Sequence, residues 1–450
     1  MNAIERRSVF SLAGIYSLRM LGLFLILPVF ALYAEHLDGV TPTLIGLALG
    51  AYGLTMALLQ IPFGMLSDRI GRKPVITVGL IIFAIGSVVA ASSHDIWGVI
   101  FGRALQGAGA IAAAMMALLA DLTREEIRTK ATAMIGMSIG MSFTVSLILG
   151  PWLDAAIGVN GIFWLTAVLA VGAIVVLHTA IPTPAHSSMH RDAETIPGQL
   201  GAALRNFELL RLDVGILILH SIMTAMFIAL PFVLRDQLHL PSVHHSWVYL
   251  PILVVAMGLM VPMIIIAEKR KKMKPVFLIA IALIAASAAV LALFHQGWTG
   301  VITGLLLFFI AYNVLEATLP SLVSRIAPID GKGTAMGVYS TSQFLGAFVG
   351  GAGGGMLLDK FGVEGIFIAC SIGALLWLAL AFGMARPRMR SAMMLHVDEA
   401  NTTNAQTLET QLLALAGVSE ARIAIEEGVA YLRVEKEHFD ADAAKALLQS

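Results

Sequence analysis

The segment Gly64-Met-Leu-Ser-Asp68-Arg69-Ile-Gly71-Arg72-Lys73 joins two long apolar blocks, at 44–66 and 75–92. Glycine favours a tight turn in such a segment, because it adopts backbone angles that other residues avoid. The basic residues indicate a loop held at one face of a membrane. Asp68 has no role in a loop of this kind unless it pairs with another group. The segment therefore predicts two membrane helices joined by a short turn with a paired acid.

The composition around this segment extends the membrane interpretation to most of the chain. Of its 450 residues, 58% are apolar and 13% are charged, and the mean hydropathy is +0.85. In a soluble domain, roughly a quarter of the residues are charged. The apolar residues fall in blocks of about the 20 residues that a helix needs to cross a bilayer. We therefore expect a lipid bilayer as the main partner, and the net charge of zero predicts no nucleic acid or acidic partner.

Twelve membrane spans can be drawn, and basic residues mark alternate loops. The segments 69–73 and 269–274 belong to one basic set of loops, whereas the opposite set contains only Arg235 and Lys360. Under the positive-inside rule this predicts two cytoplasmic termini, in a bacterial inner membrane. The first block is too long for a signal-peptide core, so we expect it to remain as span 1. The spans are predicted at 9–33, 44–66, 75–92, 96–119, 131–152, 161–181, 212–234, 246–267, 276–294, 298–322, 333–358 and 363–385.

The two halves of the chain repeat each other. Lys130-Ala-Thr-Ala-Met134 recurs as Lys332-Gly-Thr-Ala-Met336, 202 positions later, and Gly161-Ile-Phe163 recurs as Gly365-Ile-Phe367, 204 positions later. Two matches at nearly one offset indicate a duplication. Because six spans are an even number, the halves run parallel. We expect six-helix bundles at 1–181 and 212–385, a cytoplasmic linker at 182–211 and a soluble domain at 386–450.

The soluble domain shows the order β-α-β-β-α of a ferredoxin-like module without its last strand. Gly417 can end its first helix, Asp440 can cap its second, and residues 426–428 suit a hairpin turn. Copper chaperones with this fold bind metal on the loop after the first strand. Here that loop, at 396–404, has no cysteine, and soft metals need thiolates. We therefore expect no metal and no cofactor, and a regulatory or interaction module. Its strands are predicted at 393–397, 422–426 and 429–435, and its helices at 407–416 and 440–448.

The segment at 64–73 resembles the loop signature of the major facilitator superfamily. Leu21-Gly22 with Pro28-Val29 resembles the first-helix pattern of its drug/proton antiporter branch, and Gly150-Pro151 is the core of a longer fifth-helix motif. In span 4, Arg103, Gln106 and Gly107 resemble the fourth-helix motif. The resemblance covers residues 1–385, and the whole chain is similar to bacterial transporters with an appended module. It implies twelve transmembrane helices in two six-helix bundles, the major facilitator fold.

The resemblance also implies a conformational latch at the cytoplasmic face. Asp68 would contact the positive end of span 11, near Gly333, when the protein is closed to the cytoplasm. Arg72 would pair with Asp121 at the end of span 4 and keep Asp68 oriented. The latch residues are Gly64, Asp68, Gly71, Arg72, Lys73 and Asp121.

Few ionisable residues lie deep inside the predicted spans, away from the span ends: Arg19, Arg103, Glu316 and His220. A charge at bilayer depth is costly, so it normally faces a cavity or a partner. Glu316 can serve in a cavity or in proton coupling, or it can be a structural acid bonded to Asn313. Arg19 can line the central cavity, where it would be a counter-charge to Glu316 if spans 1 and 10 lie close together, or it can bridge helices. A structural role is favoured for His220. Further polar cavity candidates are Asn313, Tyr52, Gln343 and Tyr339.

These features favour a proton-coupled secondary transporter that exports small solutes or drugs by alternating access, as a monomer. One alternative is an exporter or facilitator of an anionic or sugar-like solute without proton coupling, because the first half has two buried cations and no buried acid. A different class is a membrane sensor that signals through the C-terminal domain. An enzyme is not expected, because no residues resemble a nucleophile-base set, a nucleotide loop or a metal cluster.

Overall fold

The architecture is that of a twelve-helix membrane protein with a small α+β domain. It is seen in a computed structural model that describes residues 1–183, 197–328, 331–385, 391–397, 405–424, 429–434 and 438–449. Within the described part of the chain, nine helical stretches are long and apolar enough to cross a membrane. Two of them each contain two spans, and the helix at the N-terminus adds span 1, which makes twelve.

The spans follow one another as continuous or broken helices. Spans 1 and 4 are each broken once, and spans 5–6 and 11–12 are each one stretch with a sharp turn. In chain order the spans are Ala3–Phe24 with Phe30–Ala34, Pro42–Ile70, Arg72–Ser92, Ile96–Ala108 with Ala112–Asp121, Glu125–Thr179, Phe207–Phe232 with Val233–Gln237, His245–Lys269, Met273–Phe294, Trp298–Ile326 and Lys332–Phe382.

Two glycines make the turns within the long stretches. Gly158 has a φ of 69° and Gly362 a φ of 65°, in the region that glycine adopts without strain. They lie 204 positions apart, the same offset as the repeat of Gly161 and Gly365. The duplication is therefore visible in the backbone as well as in the sequence.

The two bundles meet along spans 2 and 11, which pack closely. A methyl group at Gly46 would lie 2.1 Å from the carbonyl oxygen of Gly351. Glycine-lined contacts of this kind are common between membrane helices, because they let two backbones approach. We call the end of the bundles with Arg72 and Lys269 the basic face, and the other end the opposite face. Gly46 and Gly351 lie toward the opposite face, where spans 1 and 2 join.

The linker and span 7 differ in detail from the prediction. Residues 184–196 lie outside the described residues, and the rest of the linker includes the helix Pro197–Arg205. Span 7 begins at Phe207, before the predicted position 212, because Asn206 accepts hydrogen bonds from the backbone N–H groups of Glu208 and Leu209 and caps the helix there.

The C-terminal domain has the predicted order of elements. The strands β1 (Ser391–His396), β2 (Val418–Ala424) and β3 (Val429–Val434) form an antiparallel sheet in the order β1-β3-β2. The helices are Ala405–Ala414 and Ala441–Gln449. Strand β2 starts earlier than predicted. The predicted turn at 426–428 and most of the loop at 396–404 lie outside the described residues.

Of the two predicted caps of this domain, the one at Asp440 is confirmed, because its Oδ1 accepts the N–H groups of Asp442 and Ala443. Gly417, with a φ of 80°, lies instead in the turn from Leu415 to Val418, three residues after the helix ends at Ala414. The Arg433 guanidinium donates to the carbonyl oxygen of Ala327, which follows the last turn of span 10.

Candidate functional site

The loop between spans 2 and 3 is built around Arg72. Gly71, with a φ of 98°, separates the two helices and lets Arg72 begin span 3. The Arg72 side chain is buried; its Nη1 donates to Ser67 Oγ at 2.9 Å and also to Asp68. Its Nε donates to Asp121 Oδ2 at 3.3 Å. One cation thus sits between two carboxylates, which is the arrangement that keeps a buried guanidinium paired.

The other residues of this loop fix the surrounding helices. Lys73 Nζ donates to the carbonyl oxygen of Ile181 at 2.6 Å, at the end of span 6. At Gly64 an added methyl group would lie 3.0 Å from the Cβ of Ala113 in span 4. The Asp68 side chain is 33% exposed. In this conformation Asp68 accepts a hydrogen bond from Arg72, a residue of the same loop in the first bundle.

The fourth-helix motif forms a buried polar chain between spans 3 and 4. Arg103 Nη1 donates to Gln106 Oε1 at 2.7 Å, and Gln106 Nε2 donates to Ser87 Oγ at 2.8 Å. The Arg103 guanidinium also lies 5.1 Å from the centre of the Tyr52 ring. Gly107 lets span 4 touch span 2, since a methyl group there would lie 2.1 Å from the Tyr52 carbonyl oxygen. These residues hold the first bundle together.

Arg19 bridges span 1 and the break in span 4. It is 2% exposed, and its Nη2 donates to the carbonyl oxygen of Gly109 at 2.7 Å. Among the two arrangements considered from sequence, the structure shows the helix-bridging one. Its described partners lie in the first bundle, whereas those of Glu316 lie in the second, so the pairing of these two charges is not seen.

The fifth-helix motif lies against span 1. An added methyl group at Gly150 would lie 2.6 Å from the carbonyl oxygen of Leu25 and 2.8 Å from the ring of Pro28. Span 1 is non-helical between Phe24 and Phe30. Gly150 thus lets this irregular backbone approach span 5 closely, and Pro151 follows it inside the same helix.

A second polar cluster joins spans 7, 10 and 11 in the middle of the second bundle. Glu316 Oε1 lies 3.2 Å from His220 Nε2, and the Glu316 side chain is 30% exposed. His220 Nε2 also lies 2.9 Å from Gln343 Nε2. Glu316 stands ten residues before Ile326, or about 15 Å along the helix. Because span 10 extends to Ile326, Glu316 lies deeper in the membrane than it would if the span ended at the predicted residue 322.

The side chains next to this cluster are those of Asn313, Tyr339 and Tyr312. Asn313 Nδ2 has no hydrogen-bond partner among the described residues, so the structural pairing of Glu316 with Asn313 is not seen. Tyr339 is buried in span 11. Tyr312, one turn from Glu316, donates to Met223 Sδ at 3.0 Å and contacts the acid. Tyr312 was not singled out from sequence, although its spacing of four from Glu316 was a usable signal.

Aromatic rings close the space between the bundles on one side of Glu316. The Phe143 ring of span 5 lies 5.1 Å from Phe24 in span 1, 5.7 Å from Tyr312 in span 10 and 6.2 Å from Phe227 in span 7. Span 10 runs from the opposite face to the basic face, so Tyr312 lies about 6 Å nearer to the opposite face than Glu316. We call Phe24, Phe143, Phe227 and Tyr312 the aromatic seal.

Hydrogen bonds join the bundles beyond the seal. Arg235 pairs with Glu35 across the interface and with Asp236 beside it, and Thr43 Oγ1 donates to Asp359 Oδ2 at 3.0 Å. The structure is therefore closed toward the opposite face. Sequence reasoning treated Arg235 only as a loop charge. It also missed Asp213, which is 5% exposed in span 7.

Comparison with known proteins agrees with this geometry. Residues 12–351 match the profile of the Major Facilitator Superfamily. The chain is 45% identical to the inner membrane transport protein YajR of Escherichia coli (strain K12), over 96% of this chain and 94% of YajR. It is 24% identical to the multidrug resistance protein MdtH of Aeromonas salmonicida (strain A449), over 77% of this chain and 86% of MdtH.

A solved structure shares the fold. The crystal structure of a bacterial homologue of the human lysosomal transporter Spinster superposes with a TM-score of 0.70 at 15% identity, over 85% of this chain and 97% of that one. The relatives and the fold are those of membrane transporters, not of enzymes. The match to the profile covers most of the chain, and the chain therefore belongs to the major facilitator superfamily.

Proposed function

We propose that this protein is a proton-coupled secondary transporter that exports small solutes or drugs across the bacterial inner membrane. The observation that carries the proposal is the position of Glu316 and His220. The pair lies between spans of the second bundle, with the acid partly exposed and the aromatic seal on one side of it. An acid kept at this depth is typical of ion pathways and proton relays.

The proposed mechanism uses the charge of this pair. Burial of a protonated, neutral Glu316 costs little free energy, whereas an ionised carboxylate favours the conformation in which it is exposed to water. One proton can lie on either Glu316 Oε1 or His220 Nε2, 3.2 Å away. A second proton leaves the pair with a positive charge, which repels a cationic solute. Proton binding and solute binding would thus exclude each other, which is the requirement for exchange.

We assign the basic face to the cytoplasm, which places both termini inside, and we expect a monomer. This orientation follows the positive-inside rule. The structure would then be the state that is closed to the outside, with Glu316 reached from the cytoplasm. In the proposed latch, Asp68 leaves Arg72 and contacts the start of span 11 at Gly333 when the cytoplasmic side closes, while Asp121 keeps Arg72 in place.

Two other functions have less support. Binding of an anionic solute by Arg19 and Arg103 would need access to them, but these side chains are 2% and 1% exposed. A sensor that signals through the C-terminal domain would use the contact of Arg433 with Ala327. We propose that this contact serves regulation of a transporter. Deletion of residues 386–450 should then leave solute movement in place, whereas a sensor would lose its output.

Transport in proteoliposomes tests the proposal. The purified chain is reconstituted, a panel of cationic, neutral and anionic compounds is offered, and uptake is measured with and without an imposed pH gradient. We expect gradient-stimulated movement of cationic or neutral compounds. Compound uptake that is the same with and without the pH gradient would support the uncoupled alternative. Uptake of none of the compounds would contradict a transporter of small solutes.

A further inference from the structure

Span 4 is broken in the middle of the first bundle. Its first helix ends at Ala108 and its second, Ala112–Asp121, begins after an N-cap residue, Ile111, whose side chain makes no capping hydrogen bond. The first N–H groups of a helix have no partner within the helix, and the helix dipole makes this end positive. A broken membrane helix of this kind suits an anion at its exposed N-terminus.

Arg19 supplies a second and independent observation at the same place. Its Nη2 donates to the Gly109 carbonyl oxygen in the break and to Met56 Sδ at 3.4 Å, and its guanidinium lies 5.9 Å from the centre of the Phe83 ring. Tyr16, one turn earlier in span 1, donates to the carbonyl oxygen of Ala112 at 2.8 Å. Although Arg19 is 2% exposed, its Nε and Nη1 have no hydrogen-bond partner among the described residues. A buried charged group normally has its donors satisfied, so these two N–H groups point to a missing ligand.

Among the described residues, Arg19 has no carboxylate partner. Arg103, which is also buried in the middle of a span, is bonded to the neutral Gln106. The acids of the first half all lie at the ends of spans or in loops: Glu5, Glu35, Asp38, Asp68, Asp95, Asp121, Glu125, Glu126 and Asp154. Water can satisfy the N–H groups of Arg19, but it cannot compensate a cation in a medium of low dielectric constant.

We infer that the first bundle binds a small inorganic anion of halide size between the Arg19 guanidinium and the start of the helix Ala112–Asp121. The burial of Arg19 excludes a bulky solute, so a monatomic anion such as chloride suits the site. The anion would be a structural part of the bundle. This inference does not depend on proton coupling or on any transported solute, because binding is measured in detergent without transport.

Thermal unfolding of the full chain in chloride and in gluconate at equal ionic strength tests the inference. Because a ligand bound only to the folded state stabilises it, chloride and bromide should raise the unfolding temperature in a saturable way, by about 2–4 °C. Arg19→Gln, which retains donors without charge, should lose the shift, and Arg19→Lys should keep part of it. Arg235→Gln, an arginine at the opposite face, is the matched control and should keep the full shift.

Diffraction from crystals of the unaltered protein in bromide gives a second measurement if an Arg19 variant does not fold. A bromide anomalous peak within hydrogen-bonding range of Arg19 would support the site. Equal unfolding temperatures in halide and gluconate, or density at Arg19 without an anomalous signal, would mean that only water fills the site and would overturn the inference.

Discussion

At the scale of single residues, the first bundle depends on small side chains where helices cross. Gly107 brings span 4 against span 2, so that an added methyl group would lie 2.1 Å from the carbonyl oxygen of Tyr52 and 2.2 Å from Thr55 Oγ1. The same crossing is held by a hydrogen bond from Thr55 Oγ1 to the carbonyl oxygen of Ala104, at 2.8 Å. This close approach positions Arg103 over the Tyr52 ring.

We therefore expect Gly107→Ala to destabilise the protein by about 1–3 kcal/mol, the usual effect of overpacking. Gly136→Ala in span 5 is the matched control, because no atom lies within 4 Å of the methyl group that it adds. It should be neutral or slightly stabilising, since alanine favours a helix more than glycine does. Thermal unfolding in detergent measures both variants, and an equal unfolding temperature for the two would contradict the packing argument.

At the scale of elements, the sequence predicts the spans well and their interruptions poorly. Apolar length and basic loops locate the twelve spans, because both follow from the bilayer itself. The breaks at Leu25–Val29 and Gly109–Ile111 depend on tertiary contacts, such as the bond from Arg19 to Gly109, which composition does not reveal. The approach of Glu316 and His220 likewise depends on how spans 7 and 10 pack, so the sequence suggested each residue but not the pair.

We expect the ion pair of Glu35 and Arg235, which joins spans 1 and 7, to hold the opposite face closed. Both side chains are more than a third exposed, so the pair contributes at most about 1 kcal/mol, or about fivefold in population. Glu35→Gln and Arg235→Gln should each lengthen the distance between spin labels at His36 and Lys360. The double variant should open the face no further than either single one.

Glu364→Gln is the control for this measurement, because Glu364 is exposed near the same face, at the start of span 12. It should leave the distance distribution unchanged. If Glu35→Gln and Arg235→Gln also leave it unchanged, the ion pair does not close this face.

At the scale of the whole molecule, the structure is closed at the opposite face, as one of the two states of the proposed alternating access would be. Its bundles touch through the glycines of spans 2 and 11, the aromatic seal and the opposite-face ion pair. Asp68 is bonded to Arg72 here, so its proposed contact with span 11 belongs to the other state. A carboxylate at a helix N-terminus gains about 0.3–1 kcal/mol, which is enough to shift a balanced equilibrium.

Asp68→Asn should accordingly favour the state that is open at the basic face. Spin labels at Ile70 and Arg270, one on each bundle, should show longer distances in this variant. Arg69→Gln, a change of an exposed neighbour in the same loop, should have little effect. Distances that are the same in Asp68→Asn and in the unaltered protein would refute the latch.

The most direct test of the central proposal, that Glu316 couples protons to solute movement, is transport by Glu316→Gln in proteoliposomes. Glutamine retains the shape of the side chain but cannot exchange a proton. We predict loss of pH-gradient-driven uptake with solute exchange retained, while the exposed control Glu364→Gln keeps both activities. Full gradient-driven uptake by Glu316→Gln would contradict the account and leave Glu316 as a structural partner of His220.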